Sequence, residues 1–188
     1  MSAGQKQPYA KLYPMAQHIA EAIGPFCERL EIAGSLRRGR PMVGDIEIVA
    51  LPKLTRDLFD EPLPDAPTPL DAFLAQKGVK LSKNGRRFKQ FVYGGVSVDL
   101  WLPASAAHWG TILTIRTGSS DFNTWLMKER QHKAGVMFSD GRLYARWTGL
   151  EVDTPEEADV FDLLNMEFVP PAERDDRKWL AYVKAGVA

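Results

Sequence analysis

Asp45 and Glu47 stand two residues apart in "VGDIEIVALP", where acidic and aliphatic side chains alternate. That alternation predicts a strand with both carboxylates on one face. Asp99, in "VSVDLWLP", lies in a second strand-like segment able to pair beside the first. Three carboxylates converging on a sheet repel one another and need cations to be tolerated. Oxygen donors without accompanying His or Cys favour magnesium or manganese, and magnesium completes its shell with substrate phosphates. The expected substrate therefore carries phosphate. Just upstream, Gly34-Ser35 predicts a turn offering N–H groups and a hydroxyl to an anion, and Arg37 or Arg38 adds a guanidinium fork. Two alternating acids alone describe a solvent-facing strand; the conjunction with Gly34-Ser35 and Asp99 points to a metal site.

The elements that must position these residues are legible in outline. Apolar residues at Met15, Ile19, Ala22, Ile23 and Phe26 predict an amphipathic helix within 11–30, broken near Gly24-Pro25. Residues 53–70 hold four prolines and no clean period, so a mobile connection is expected. A short helix over 71–78 precedes two strands around Gly94-Gly95, a two-residue hairpin signal. Beyond Pro103 the pattern predicts a helix over 121–134, a hairpin turning at Asp140-Gly141, and a helix from about Pro155. Thr154 would cap that last helix, with Glu157 in the capping-box position. The composition shift near Pro103 divides the chain into 1–103 and 104–188. The expected fold class is α/β (α+β), a mixed sheet carrying the carboxylates followed by a smaller α+β lobe.

The chain has 188 residues, 45% hydrophobic and 26% charged, which is ordinary globular usage and excludes disordered and fibrous classes. Lys+Arg and Asp+Glu both number 24, so only local clustering could announce a nucleic-acid partner. One cysteine, Cys27, excludes an internal disulfide and a cysteine zinc cluster. The expected setting is cytoplasmic: intracellular, or virus- or phage-encoded and acting in the host cell. No signal-peptide core or membrane-length apolar run is visible, so no membrane partner is expected, and the size suits a monomer. Cys27, Trp101, Trp109, Trp147 and Trp179 are expected in the core, and His18, His108 and His132 lack ligand-like spacing.

"GSLRRGRPMVGDIEIV" with the later "VSVDLWLP" resembles the nucleotidyltransferase signature, and its Arg-Arg-Gly form resembles family X DNA polymerases, the DNA polymerase beta group. "TGSSDFN", residues 117–123, resembles that family's segment at the start of a thumb helix, and "DVFDLLNMEFVPPAERD" its terminal element. The resemblance implies a nucleotidyltransferase palm over 1–103 and a thumb over 104–188, without the lyase domain or helix-hairpin-helix fingers. It implies that Asp45 and Glu47 hold two Mg2+ ions, Mn2+ being an alternative, with Asp99 joining them on the catalytic ion. Gly34, Ser35, Arg38 and the backbone of Gly44 would cradle the dNTP triphosphate. Gly118 and Ser119 would line the sugar side, and Asn123 would reach the minor-groove edge of the incoming base. The chain departs from the family in four places: Glu47 replaces an Asp, Ile115-Arg116 a Tyr-Phe pair, Ser97 an Arg beside the third carboxylate, and Met127 a template-contacting Arg.

Without a lyase domain or fingers, a DNA primer-template would be held by two basic clusters. "KNGRRFK" offers Lys83, Arg86, Arg87 and Lys89, and "KERQHK" offers Lys128 and its neighbours, with Trp125 placed to stack on a base. Lysine and arginine also guard exposed strand edges, which is the plainer account of the first cluster. The expected activity is DNA-directed DNA polymerase in short patches such as gap-filling repair. Its rivals are a template-independent nucleotidyltransferase acting on nucleic acid, protein or a small molecule, and an inactive DNA end-binding module.

Overall fold

A computed structural model describes residues 6–185; the remaining few residues of the expected palm and thumb lie outside the described ones. The chain divides into two units, one built from residues 1–32 and 41–102, the other from 33–40 and 103–188. The eight residues 33–40, expected with the first lobe, thus belong to the second.

In the first unit, β1 (Gln7–Pro8) leads into α1 (Tyr9–Ile23) and then β2 (Cys27–Ile32). The chain makes the one-turn helix α2 (Gly34–Arg37) in the second unit and returns as β3 (Met42–Val43) and β4 (Ile46–Pro52). Then come α3 (Pro69–Gln76), β5 (Leu81–Asn84), β6 (Phe88–Tyr93) and β7 (Val96–Trp101). The mixed five-stranded sheet runs β2-β4-β7-β6-β5, with β4 and β7 parallel and every other pair antiparallel. β3 pairs instead with β1. α1 buries Leu12, Ala16, Ile19 and Ile23, spaced for one helical face. Cys27 is buried, and desolvation pushes its thiol up to about 11, as suits an inert packing residue. The β6–β7 turn is Gly94-Gly95, both in the left-handed region at φ +56° and +80°, which a two-residue hairpin turn demands.

Residues 53–67 are stitched together more than their prolines suggest. Arg56 and Pro62 form an antiparallel bridge, and the Asp57 carboxylate accepts from the N–H groups of Phe59 and Glu61.

The second unit contains α4 (Trp109–Thr117), α5 (Ser120–Trp125), a π-helical turn over Leu126–Arg130 and α6 (Gln131–Lys133), so the helix expected over 121–134 is present with a bulge inside it. A three-stranded antiparallel sheet of β8 (Val136–Ser139), β9 (Arg142–Ala145) and β10 (Glu151–Val152) follows, with its hairpin at Asp140-Gly141, and then α7 (Glu157–Leu163). Phe122, Leu126, Phe161, Leu164 and Trp179 anchor the core.

Two expectations are corrected here. α7 is capped by Glu156, which exchanges hydrogen bonds with Asp159, because Thr154 is occupied by Thr111 and the Ala107 carbonyl. Trp147 is 88% exposed; it lies in the turn after β9 rather than on a strand face. Gly110 is where α4 meets the Thr154–Glu156 segment. A Cβ there would collide with the Glu156 carbonyl and stand 2.7 Å from that of Thr154. Gly110→Ala is therefore expected to cost about 1–3 kcal/mol, read as a lower urea midpoint with unchanged slope.

Candidate functional site

The carboxylates are placed by strand register. β4 and β7 run parallel with Glu47 opposite Asp99, so these side chains share a sheet face. On β7, Val96, Val98 and Leu100 are buried while Ser97, Asp99 and Trp101 are half-buried on the opposite face. Asp45 lies just before β4, two residues from Glu47, and is near enough to Asp99 to feel its charge. Burial foremost, and the Asp99 carboxylate second, push the Asp45 pKa up.

Asp99 is held by a neighbour that sequence reading missed. Gln90 lies opposite it across the β6–β7 pair, and its Nε2 donates to Asp99 Oδ1 at 2.8 Å. The Ser82 hydroxyl sits 3.2 Å from Gln90 Oε1, which fixes the orientation of the amide. Ser97 Oγ is a longer 3.5 Å from the same Asp99 oxygen. A neutral amide thus does the orienting that the resemblance would give to an arginine.

Among the described residues no three carboxylate, imidazole or thiol groups are gathered into a ready ion cage. The donor set nonetheless suits a hard divalent ion. Two mutually repelling carboxylates with oxygen donors only are what magnesium takes when phosphates supply the rest of its shell. Gly44, beside Asp45, has open space where a Cβ would stand, so the side-chain-free backbone is not demanded by packing.

Of the residues expected around phosphate and sugar, Gly34, Ser35, Arg38, Gly118, Ser119 and Asn123 belong to the second unit, whereas Gly44 belongs to the first. Gly34 takes φ +62° and opens α2, whose turn is closed by Arg38 N–H to Gly34 O and Arg40 N–H to Ser35 O. Ser35 makes no side-chain hydrogen bond among the described residues. Arg38 is already engaged: Nη1 donates to the carbonyls of Thr117 and Gly118 at 2.6 and 3.1 Å, and Nε to Asp175 at 3.1 Å. In this state it positions the Thr117-Gly118 backbone. Arg37 is structural, donating to Thr117 Oγ1 at 2.8 Å and Glu157 Oε2 at 2.9 Å.

Gly118 is required by close packing, since a Cβ would stand 2.6 Å from Asn123 Oδ1 and from the Phe122 ring. Ser119 caps α5 by accepting from Phe122 N–H. Asn123 donates Nδ2 to the Ile115 carbonyl at 2.7 Å, and its buried Oδ1 is left without a partner.

The expected DNA-contacting residues divide. Lys83, over the Phe88 ring at 5.3 Å, Arg87 and Lys128 are exposed. Arg86 is exposed and paired with Asp65 at 2.7 Å. Lys89 is 4% exposed, bonded to Asp71 and Asn84 at 2.6 Å each, so it offers no ammonium to a phosphate. Its place beside Phe91 in the β6 alternation turns it inward, where Asp71 of α3 neutralises it. Arg130 of the second cluster is likewise buried, donating to the Leu164 and Asn165 carbonyls that end α7. Trp125 is half-buried against the second unit's core.

One further network has no local sequence signal. Arg174 is fully buried and donates Nη1 to Glu157 Oε1 at 2.6 Å, while Nε and Nη2 reach the Val169 carbonyl. Its guanidinium lies 5.0 Å from the Phe161 ring centroid. Glu157 therefore joins Arg37 to Arg174.

Residues 112–175, a segment containing Gly118, Ser119, Asn123, Glu157 and Arg174, match the family model of the DNA polymerase beta thumb. No curated protein matches the chain. Among the described residues no helix is long and apolar enough to cross a membrane.

Proposed function

We propose that this chain, family X DNA polymerase-like through the thumb that residues 112–175 match, is a DNA-directed DNA polymerase that adds dNMP from dNTP to a primer 3'-hydroxyl in short patches. The coarser part, a DNA-binding thumb of that kind, follows from the match itself. The observation that carries the finer part is the Glu47–Asp99 register with Asp45 coupled to it, present in the same chain as such a thumb.

Asp45, Glu47 and Asp99 would hold the ions, and Gln90 fixes the Asp99 carboxylate by its hydrogen bond. Two divalent ions, when bound there, would lower the pKa of the primer hydroxyl and neutralise charge on the entering and leaving oxygens. The attacking oxygen bonds to the α-phosphorus as the bond to the bridging oxygen breaks, and pyrophosphate departs. The Gly34-Ser35 turn offers N–H groups and a free hydroxyl to the triphosphate.

A second reading is favoured by Met127, which is exposed on the thumb helix and has no group to hydrogen-bond a template strand. It is template-independent nucleotidyl transfer. Single-dNTP primer extension opposite each template base, with magnesium and with manganese, separates the two. The expected result is addition of the complementary dNMP at least about tenfold faster than any other, a discrimination of ~1.4 kcal/mol. Equal addition of all four overturns templating in favour of the second reading. Salt-sensitive DNA binding without turnover leaves only an end-binding module.

A further inference from the structure

The helix made by α5 and the π-turn exposes Asp121, Trp125, Lys128 and Glu129 on one face, and the C-terminal segment brings Arg177 and Trp179 to it. Together they line an open pocket of about 220 Å³ within the second unit. That is below the ~300–1,000 Å³ of pockets that take drug-sized ligands, so it has room for one flat ring system and not for a whole nucleoside triphosphate.

Three features of this pocket are not explained by the fold. Trp179 is 2% exposed, yet its Nε1 has no acceptor, whereas buried polar groups ordinarily find one. The side chains of Lys128 and Arg177 make no hydrogen bond or ion pair among the described residues, although those of Arg37, Arg38, Arg130, Arg142 and Arg174 of the same unit are all engaged. Asp176 and Arg177 hold consecutive left-handed backbones at φ +56° and +61°. Non-glycine residues rarely adopt that region, and such strain gathers where a side chain must be aimed.

The charges narrow the occupant. Lys128 and Arg177 are balanced by Asp121 and Glu129, so the pocket is formally neutral and does not suit a polyanion. One phosphodiester charge can be held by the two cations, while the carboxylates accept from exocyclic amines of a base. Trp125 supplies an aromatic surface, packed from behind by Phe122. Bases stack on such rings with little regard to sequence.

We propose that this pocket is a subsite for one unpaired nucleotide of a DNA strand, its base against Trp125 and its phosphodiester between Lys128 and Arg177. That the strand is DNA rests on the polymerase reading. The nucleotide is one beyond the duplex, so the pocket distinguishes DNA with a single-stranded overhang from blunt DNA.

The test is fluorescence anisotropy of the full chain with a primer-template carrying a five-nucleotide template overhang and with a blunt duplex, across a salt series. The variants are Trp125→Leu, Lys128→Gln and Arg177→Asn; Asn tolerates the left-handed backbone, and the last two alter only exposed side chains. Wild type is expected to prefer the overhang, and Trp125→Leu to weaken overhang binding about tenfold without changing blunt binding. Lys128→Gln and Arg177→Asn combined should reduce the salt slope on overhang DNA by about 0.7, the single-strand value for the one phosphate they share. Absence of an overhang preference in wild type, or equal losses on both substrates, overturns the subsite. Competition by free dTMP as strong as by the overhang strand overturns its assignment to a strand. Templated extension by wild type, measured alongside, separates the two failures: extension without overhang preference removes the subsite alone, whereas overhang preference without extension removes the polymerase reading alone.

Discussion

Asp99→Asn and Asp45→Asn are each expected to lower magnesium-dependent primer extension by at least about 10³-fold while DNA affinity is kept, the scale of losing a group that acts on transition-state charge. Asp45→Asn should act oppositely on stability. Asp45 is half-buried, with its pKa pushed up by burial and by the Asp99 charge, so its ionised form is disfavoured in the fold. A raised carboxyl pKa means that stability is greatest below the unfolded value and is lost as pH rises through the folded one. In EDTA at neutral pH, Asp45→Asn removes that repulsion and is expected to gain on the order of 1 kcal/mol, the usual size of such a release. Magnesium should raise the wild-type Tm and leave that of the variant unmoved. Activity near wild type in Asp45→Asn, or a fall in its metal-free stability, sinks the assignment of these carboxylates to an ion.

The same carboxylates mark how far the sequence could be read. Alternation placed Glu47 on β4, whereas Asp45, expected on the same strand, lies in the bend just before it, and the Gly94-Gly95 turn fixed the β6–β7 hairpin. That turn also determines Gln90 as the partner of Asp99, since a two-residue loop between Tyr93 and Val96 sets every pair outward from it. Lys89 was misread because a basic run looks alike whether its members face water or the core; the burial of Phe91 on the same side of β6 was the clue to which it was. The parallel β4–β7 pairing had no local signature, because residues 53–95 intervene and only the assembled sheet shows that Glu47 meets Asp99. Arg38 shows another limit: residue type announced an anion ligand, but its carbonyl and Asp175 contacts come from residues about 80 and 137 positions away.

The largest expected effect on stability comes from the group least visible in the sequence, Glu157. Glu157→Ala leaves the guanidinium of Arg174, wholly buried, with only the Val169 carbonyl and three aromatic rings around it. Burial already holds that guanidinium below its usual pKa, with Glu157 as the main opposing influence. Removing one partner of a buried pair costs about 3–5 kcal/mol, because the remaining charge is uncompensated. The comparison is Asp65→Ala, which breaks an Arg86 pair whose side chains are 72% and 88% exposed and should cost within about 1 kcal/mol. The urea midpoint of the second unit, followed by tryptophan fluorescence, should therefore fall far more in the first variant than in the second. Glu157→Ala also releases Arg37, which otherwise holds Thr117 Oγ1 next to the backbone that Arg38 grips. Extension should then fall more steeply than the folded fraction does. Replacing the whole network at once, Arg174→Met with Glu157→Leu and Arg37→Met, separates charge from shape: apolar groups of similar volume often restore or exceed the original stability. Recovery of the midpoint without recovery of extension would show that the arginines are kept for positioning Thr117 and Gly118, whereas a Glu157→Ala midpoint matching wild type would show that Arg174 finds its counter-charge elsewhere.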